Sequence, residues 1–83
     1  MYSVRVLRAA LKDIEDLPRD YTRLVSQHID QLGQNPRPAG AIKLQGESGY
    51  RVRVGVYRIL YDIDDKEQAV VIYRVKHRRE VYR

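Results

Sequence analysis

The stretch YRVRVGVYRILYDID, residues 50–64, decides the fold. Apolar side chains alternate with arginines over residues 50–54, and the same period of two returns over residues 57–64. Alternation of this kind is typical of a β-strand that buries one face. Gly55 and Val56 interrupt the alternation, so a break or bulge is expected there. The sequence therefore predicts two strands with a buried apolar face and a second face that carries arginines.

Strand patterns also occur on both sides of this stretch. Residues 2–7 alternate, Ile42 and Leu44 begin a strand or extended piece, and residues 69–75 are rich in β-branched side chains. Polar turns are predicted over residues 45–49 and 64–68. The predicted order of elements is β-α-α-β-β-β, with room for one more short strand.

Two helices are predicted between the first strand and the loop at residues 34–40. Apolar positions recur at the three- and four-residue spacing of one helical face. In the first helix these positions are Leu7, Leu11, Ile14 and Leu17. In the second they are Tyr21, Leu24, Val25, His28, Ile29 and Leu32. Pro18 separates the two helices, and Gly33 stands where a C-cap glycine is expected.

These elements predict the α+β class, with an antiparallel sheet packed against an N-terminal helical hairpin. With 83 residues the chain has room for one core, so residues 1–83 are predicted to form a single domain. The chain has no cysteine and no apolar run near the roughly 20 residues of a membrane span. A secretory signal is not expected either, and the cytoplasm is the expected location.

The net charge of +5 is distributed unevenly. Residues 1–40 carry a net charge of +1 and residues 41–83 a net charge of +4. The positive side chains of the second half concentrate at residues 50–58 and 74–83. Such a cluster favours a polyanionic partner, most often a nucleic acid, while a solvated basic face or a dock for an acidic protein stays open.

Most catalytic sets are absent from the sequence. There is no thiol nucleophile, and the two histidines are His28, on the apolar face of a helix, and His77. Asp62, Asp64 and Asp65 surround a turn and resemble a metal site only superficially, so no metal or other cofactor is expected. The remaining chemistry belongs to arginines, His77 and tyrosines.

The segments KLQGESGYRVRVGVYRILYDID (residues 43–64) and VVIYRVKHRREVYR (residues 70–83) resemble the RelE branch of the RelE/ParE toxin superfamily. The N-terminal half, with a KDI-x-DLP helix and an H-I-x-x-L helix ending in NPRP, is similar as well. The resemblance implies a microbial-RNase-like α+β fold and a toxin of a type II toxin–antitoxin system. It also implies that the toxin enters the ribosome and that the 2′-hydroxyl of the mRNA cleaves the mRNA without a metal. A cognate RelB-like antitoxin is implied as the partner in a hetero-oligomeric complex.

Residue by residue, the resemblance implies a catalytic set and an RNA-binding set. The catalytic positions are Arg51, Arg53, Arg58, Arg78 and Tyr82, with Arg79 or Lys76 as alternatives to Arg78. The RNA-binding positions are Lys43, Arg74, Lys76, His77, Arg79 and Arg83.

The sequence departs from the family at Arg51 and Arg53, where many members carry lysines. Arginine keeps its proton, so neither residue is expected to act as a general base. Both can still stabilise a developing phosphorane. The base is then Tyr82, His77 or a bound water.

Two other functions stay open at this point. The ParE branch of the superfamily has the same fold and inhibits DNA gyrase without cutting RNA. A catalytically silent relative would use the basic surface only to bind its antitoxin.

Overall fold

The computed structural model describes residues 1–46 and 48–81. Its elements are β1 (Ser3–Val6), α1 (Arg8–Glu15), α2 (Arg19–Gln34), β2 (Ile42–Lys43), β3 (Tyr50–Val54), β4 (Tyr57–Asp64), β5 (Ala69–His77) and α3 (Arg78–Val81). The predicted α+β class is confirmed, and β2 is the additional short strand. The sequence patterns did not predict α3. No helix in the described ranges is long and apolar enough to cross a membrane.

The five strands form one sheet in the order β1-β5-β4-β3-β2. Strands β2 to β5 are antiparallel neighbours, but β1 pairs with β5 in parallel, with Ser3 opposite Ala69 and Val6 opposite Ile72. The predicted fully antiparallel sheet is therefore wrong for one edge strand. The chain crosses from β1 through both helices to the opposite edge and meanders back, and this route fixes the direction in which β5 meets β1.

The hydrophobic core lies between the helices and one face of this sheet. Its buried side chains are Ala10, Ile14, Val25, Ile29, Leu32, Val52, Val54, Ile59, Tyr61, Val70, Ile72 and Val75. The Tyr61 hydroxyl donates a hydrogen bond to the carbonyl oxygen of Pro36 over 2.7 Å. Burial raises the pKa of Tyr61 to about 12, so this phenol stays a donor. The other face of β3 and β4, called here the open face, carries Arg51, Arg53 and Arg58.

The apolar face predicted for the first helix is partly wrong. Ala10 and Ile14 are buried, whereas Leu7 and Leu11 are 40% and 51% exposed. The face of α1 that meets β5 includes Asp13, whose Oδ2 accepts a hydrogen bond from the backbone N–H of Val75. A polar contact with β5 thus sets the rotation of α1, which a count of apolar positions cannot reveal.

Gly33 lies inside α2 and not at its C-cap, which is Asn35. A Cβ at Gly33 would lie 3.0 Å from Val4 Cγ2 and 3.2 Å from the Tyr2 carbonyl oxygen. The Tyr2 N–H also donates to the Gly33 carbonyl over 2.9 Å. Gly33 therefore allows α2 to approach the edge of the sheet, and it does not terminate the helix.

The expected irregularity at Gly55 is a tight turn, in which Gly55 has a φ of 59°. The bulge lies elsewhere: Leu60 pairs with Arg74 but Tyr61 pairs with Ile72, so Tyr73 is the extra residue of β5. This bulge keeps both Ile72 and Val75 in the core. It also places Arg74 and Lys76 on the side of β5 that carries the open face, because paired residues share a face.

Candidate functional site

Three basic residues form a line across the open face of the sheet. Arg53 on β3 pairs with Arg58 on β4, and Arg58 pairs with Lys76 on β5. Directly paired residues have Cβ atoms about 4.5 to 5.5 Å apart and side chains on one face. We call these three residues the cationic row. Like charges in such positions repel one another, so the row favours a site for an anion.

A small cavity lies beside the cationic row. Its volume is about 120 Å³, and it is lined by Gly40, Ile42, Arg51, Arg53 and Arg58. Arg51 reaches it because it stands two residues before Arg53 on β3, and alternate residues of a strand share a face. Val52 and Val54, between and after the arginines, are buried in the core. The alternation noted in the sequence thus brings three of the expected catalytic residues together in what we call the arginine cavity.

Arg58 is buried, with 6% of its surface exposed. Its Nη1 donates hydrogen bonds to the carbonyl oxygens of Gly55, at 3.2 Å, and Tyr57, at 3.0 Å. Carbonyl oxygens carry no net charge, so these two contacts orient the guanidinium without cancelling its positive charge. Arg58 therefore supports the β3–β4 turn as well as lining the arginine cavity.

His77 lies on the side of the sheet that faces the helices. It pairs with Tyr57, its ring centroid is 5.5 Å from that of Tyr57, and the Tyr57 ring contacts Tyr21 of α2. The Nδ1 atom of His77 accepts a hydrogen bond from the Arg79 N–H, and Glu80 Oε1 accepts one from the His77 N–H. This reciprocal pattern is that of a capping box. His77 therefore begins α3, and its ring points away from the arginine cavity.

The remaining C-terminal residues differ in what the structure describes. The Arg78 N–H donates to the Val56 carbonyl over 2.7 Å, which holds the start of α3 beside the β3–β4 turn. The side chains of Arg78 and Arg79 are exposed there, outside the lining of the arginine cavity. Tyr82 and Arg83, expected in the catalytic and RNA-binding sets, lie outside the described residues.

Arg74 is engaged in an ion pair and does not line the arginine cavity. Its Nε and Nη2 donate to the two carboxylate oxygens of Asp13 at 2.8 and 3.2 Å. Burial acts to raise the pKa of Asp13, but the hydrogen bonds from Arg74 and Val75 outweigh it, and the pKa is lowered overall. The same pair raises the pKa of Arg74. Arg74 thus ties β5 to α1.

Lys43 does not line the arginine cavity, although it lines a neighbouring cavity together with Arg51. It pairs with Tyr50, whose ring stacks on that of core residue Tyr61 at 5.7 Å. Lys43 therefore belongs to the side opposite Arg51, while its neighbour Ile42 pairs with Arg51 and shares the open face. The sequence analysis missed Ile42 and Gly40 as part of the site, because the two-residue strand β2 is too short to show a period.

A second charged cluster lies at the other end of the sheet. Arg37 donates two hydrogen bonds to Asp65, at 3.2 and 2.8 Å, and a third to the Tyr50 hydroxyl. Tyr2 donates to the same carboxylate over 2.6 Å. The hydrogen bonds from Arg37 and then Tyr2 hold the pKa of Asp65 at about 2. Across residues 1–46 and 48–81, no group of three or more metal-ligating side chains is arranged to hold a metal ion.

Comparisons with known proteins identify the family and the fold. Residues 4–82 match the family model described as the ParE toxin of type II toxin–antitoxin system, parDE. Toxin RelG of Mycobacterium tuberculosis is 36% identical, over 99% of this chain and 97% of that toxin. The toxin–antitoxin complex RelBE2 of the same organism contains a chain with a TM-score of 0.83 and 34% identity, covering 92% of this chain and 96% of that one. The archaeal RelE–RelB complex of Pyrococcus horikoshii OT3 contains one with a TM-score of 0.82 and 30% identity, covering 93% and 94%. The chain therefore belongs to the ParE toxin family of type II toxin–antitoxin systems and has the RelE fold.

Proposed function

We propose that this toxin is a ribosome-dependent endoribonuclease that cuts mRNA and so inhibits translation. The observation that carries the proposal is the convergence of Arg51, Arg53 and Arg58 on one cavity of the open face. Guanidinium groups bind phosphate through paired hydrogen bonds, and three of them suit the scissile phosphate of an RNA strand. The relatives named RelG and RelE support the same branch of the superfamily.

The proposed reaction needs no metal. The 2′-oxygen of the RNA attacks the adjacent phosphorus, and its proton passes to a base. The bond from phosphorus to the 5′-oxygen then breaks, and the leaving 5′-oxygen takes up a proton from water. The products are a 2′,3′-cyclic phosphate and a 5′-hydroxyl. The phosphorane carries more negative charge than the diester, so the three arginines bind the transition state more strongly than the substrate. A single well-placed donor of this kind contributes roughly 2.7 to 4 kcal/mol.

Proton transfer is assigned to Tyr82 or to a bound water. His77 was a third alternative, but its Nδ1 is engaged with Arg79 and its ring packs against Tyr57 on the other side of the sheet. That placement supports a role for His77 in positioning α3. Because an ordinary phenol is a weak base at neutral pH, most of the rate enhancement then comes from positioning and charge.

A cognate antitoxin is the second part of the proposal. Structural relatives are solved as complexes of RelE with RelB, so we expect a RelB-like partner in a hetero-oligomeric complex. An extended partner with acidic and apolar anchors suits a basic site on a small domain. Expression of this chain alone in the cytoplasm should arrest growth, and co-expression with the adjacent reading frame should restore it. Harmless expression at a high level would contradict the toxin proposal.

Gyrase inhibition is the alternative that the ParE name of the family favours. Primer extension on a reporter mRNA after brief induction separates the two activities. Cuts within translated regions, in phase with the codons, support the nuclease. Intact mRNA together with induced DNA damage identifies a gyrase inhibitor, and intact mRNA with intact DNA identifies a silent relative.

A further inference from the structure

Ile42 is an exposed aliphatic residue beside the charged site. It is 53% exposed, and among the large hydrophobic residues described only Met1 is more so. It pairs with Arg51 across β2 and β3, so the two side chains stand next to each other on the open face. An aliphatic side chain in this place can cover the apolar part of a ligand whose charged part lies among the arginines.

Two cavities meet at this pair of residues. The arginine cavity of about 120 Å³ lies on one side. On the other side is a cavity of about 280 Å³ lined by Ile42, Lys43, Leu44, Gln45 and Arg51. Ile42 and Arg51 line both, so the two cavities adjoin, and together they are called here the groove. The first cavity is lined by three arginines, and the second combines the aliphatic residues Ile42 and Leu44 with Gln45 and the cations Lys43 and Arg51.

The second cavity is larger than the arginine cavity, as a nucleobase is larger than a phosphate group. At about 30 Å³ for each water, the arginine cavity has room for about four water molecules, comparable to a phosphate group. The second cavity has room for about nine, comparable to one nucleobase. Each cavity is smaller than the roughly 300 Å³ at which sites for drug-sized ligands begin. The groove as a whole therefore suits one nucleotide.

We propose that this groove is a nucleotide subsite, in which the arginine cavity takes a phosphate and Ile42 packs against the attached base. The Gln45 amide, which both donates and accepts hydrogen bonds, lies at the same cavity and can contact the edge of that base. The inference rests on the proposed function, because it names the part of the RNA that this surface holds. It adds a contact that contributes to affinity and base preference and takes no part in bond cleavage.

An acidic peptide with an apolar side chain is the other ligand that this chemistry admits. RNA is favoured because Arg53 and Arg58 stand directly opposite each other and the cavity contains a third guanidinium. A phosphodiester offers two non-bridging oxygens attached to one small centre, together with a flat base at a fixed distance. A carboxylate offers two oxygens in one plane and does not hold a flat group at that distance.

The test compares two ligands that differ only by the base, adenosine 5′-monophosphate and ribose 5-phosphate. Calorimetric titration of the purified chain should show tighter binding of the nucleotide, by about fivefold or more. Ile42→Ser should lower the affinity for the nucleotide to that for ribose phosphate and leave the latter unchanged. Leu24→Ser is the matched control, because Leu24 is a 40% exposed aliphatic residue of α2. It should change neither affinity, and circular dichroism should show both variants folded.

Equal binding of the two ligands by the unmodified chain would overturn the proposal. An equal loss of both affinities in Ile42→Ser would also overturn it, since the residue would then act on the arginines and not on the base. A third contrary result concerns the alternative ligand, represented by the peptide acetyl-Glu-Leu-Glu-amide. If Ile42→Ser still prefers adenosine 5′-monophosphate to ribose 5-phosphate but loses affinity for this peptide, Ile42 contacts a peptide and not a base. None of these titrations involves a ribosome, so their outcome is independent of whether primer extension finds mRNA cleavage.

Discussion

Arg37 and Arg74 each contact an aspartate, whereas Arg51, Arg53 and Arg58 converge on one cavity. Arg37 donates two hydrogen bonds to Asp65, and Arg74 likewise donates two to Asp13. Each pair joins distant parts of the chain. In the arginine cavity, Arg53 and Arg58 are placed opposite each other by the register of β3 and β4. The first arrangement pairs opposite charges, and the second places like charges beside one another.

This difference distinguishes arginines that tie the chain together from arginines that are proposed to bind the substrate. A guanidinium paired with a carboxylate has a stabilising role that needs no ligand. Several guanidinium groups in one cavity repel one another in the free protein. A bound anion relieves this repulsion, so the arrangement favours anion binding. Sequence alone does not distinguish the two classes, because the arginines of both lie in similar alternating strands or in loops.

The largest expected effect is that of Arg58→Ala. Loss of this buried guanidinium should slow single-turnover cleavage on programmed ribosomes by about a hundredfold or more, while ribosome binding changes little because many other cations contribute to it. Arg58→Lys keeps a charge but not both carbonyl contacts, and it should be slowed while remaining folded. Arg23→Ala, an exposed residue of α2, is the control and should cleave at the normal rate. A fully active Arg58→Ala variant would place Arg58 among the arginines that tie the chain together.

The next effect concerns the assignment of proton transfer to Tyr82 and not to His77. Replacement of Tyr82 by Ala or by Phe should slow cleavage by about tenfold or more, with Phe the milder change, if the hydroxyl takes part in proton transfer. A Phe variant with nearly full activity and an inactive Ala variant would instead indicate base stacking. His77→Ala should retain proton transfer and lose helical signal at the C-terminus. Full activity in Tyr82→Phe with none in His77→Ala would move the proton chemistry to His77.

Tyr61→Phe tests the core beneath the two charged regions. The change leaves the buried Pro36 carbonyl without its donor, so the free energy of unfolding should fall by about 1 to 3 kcal/mol in urea denaturation. Tyr50→Phe is the control, because its hydroxyl lies in the exposed contact with Arg37 and water can replace it. We expect a smaller change there. An equal loss of unfolding free energy in both variants would show that the buried Tyr61 hydrogen bond stabilises the fold no more than the exposed Tyr50 hydrogen bond.

The smallest effect is the pH dependence of the Arg37–Asp65 pair. The pKa of Asp65 falls from 3.8 to about 2 in the folded chain, so the unfolded chain binds the proton first as the pH decreases. The stabilising contribution is complete above pH 3.8 and is lost as the pH falls through about 2. Asp65→Asn should be less stable than the unmodified chain at pH 5, and the difference should shrink near pH 2. Added salt should also reduce it, because the pair is exposed.

Prediction from sequence succeeded where neighbouring residues determine the outcome. The period of two placed Arg51 and Arg53 on one face, and the helical spacing located α2 and its buried Val25 and Ile29. Prediction from sequence failed where a contact with a distant residue determines which side chains are buried. Leu11 is exposed because Asp13 bonds to β5, 61 to 62 residues further along the chain. The roles assigned to the catalytic and RNA-binding residues stay predictions, and two of them fall on Tyr82 and Arg83.

The sequence by itself determined the α+β class, the two helices and the arginine-bearing face, because backbone geometry fixes where residues i and i+2 or i and i+4 point. Only the tertiary structure decided that β1 runs parallel to β5, that Arg58 is buried, that Arg74 pairs with Asp13 and that His77 faces the helices. Each of these depends on strand register or on contacts between distant segments. Such contacts depend on the packing of the whole chain, so they cannot be predicted from local sequence patterns.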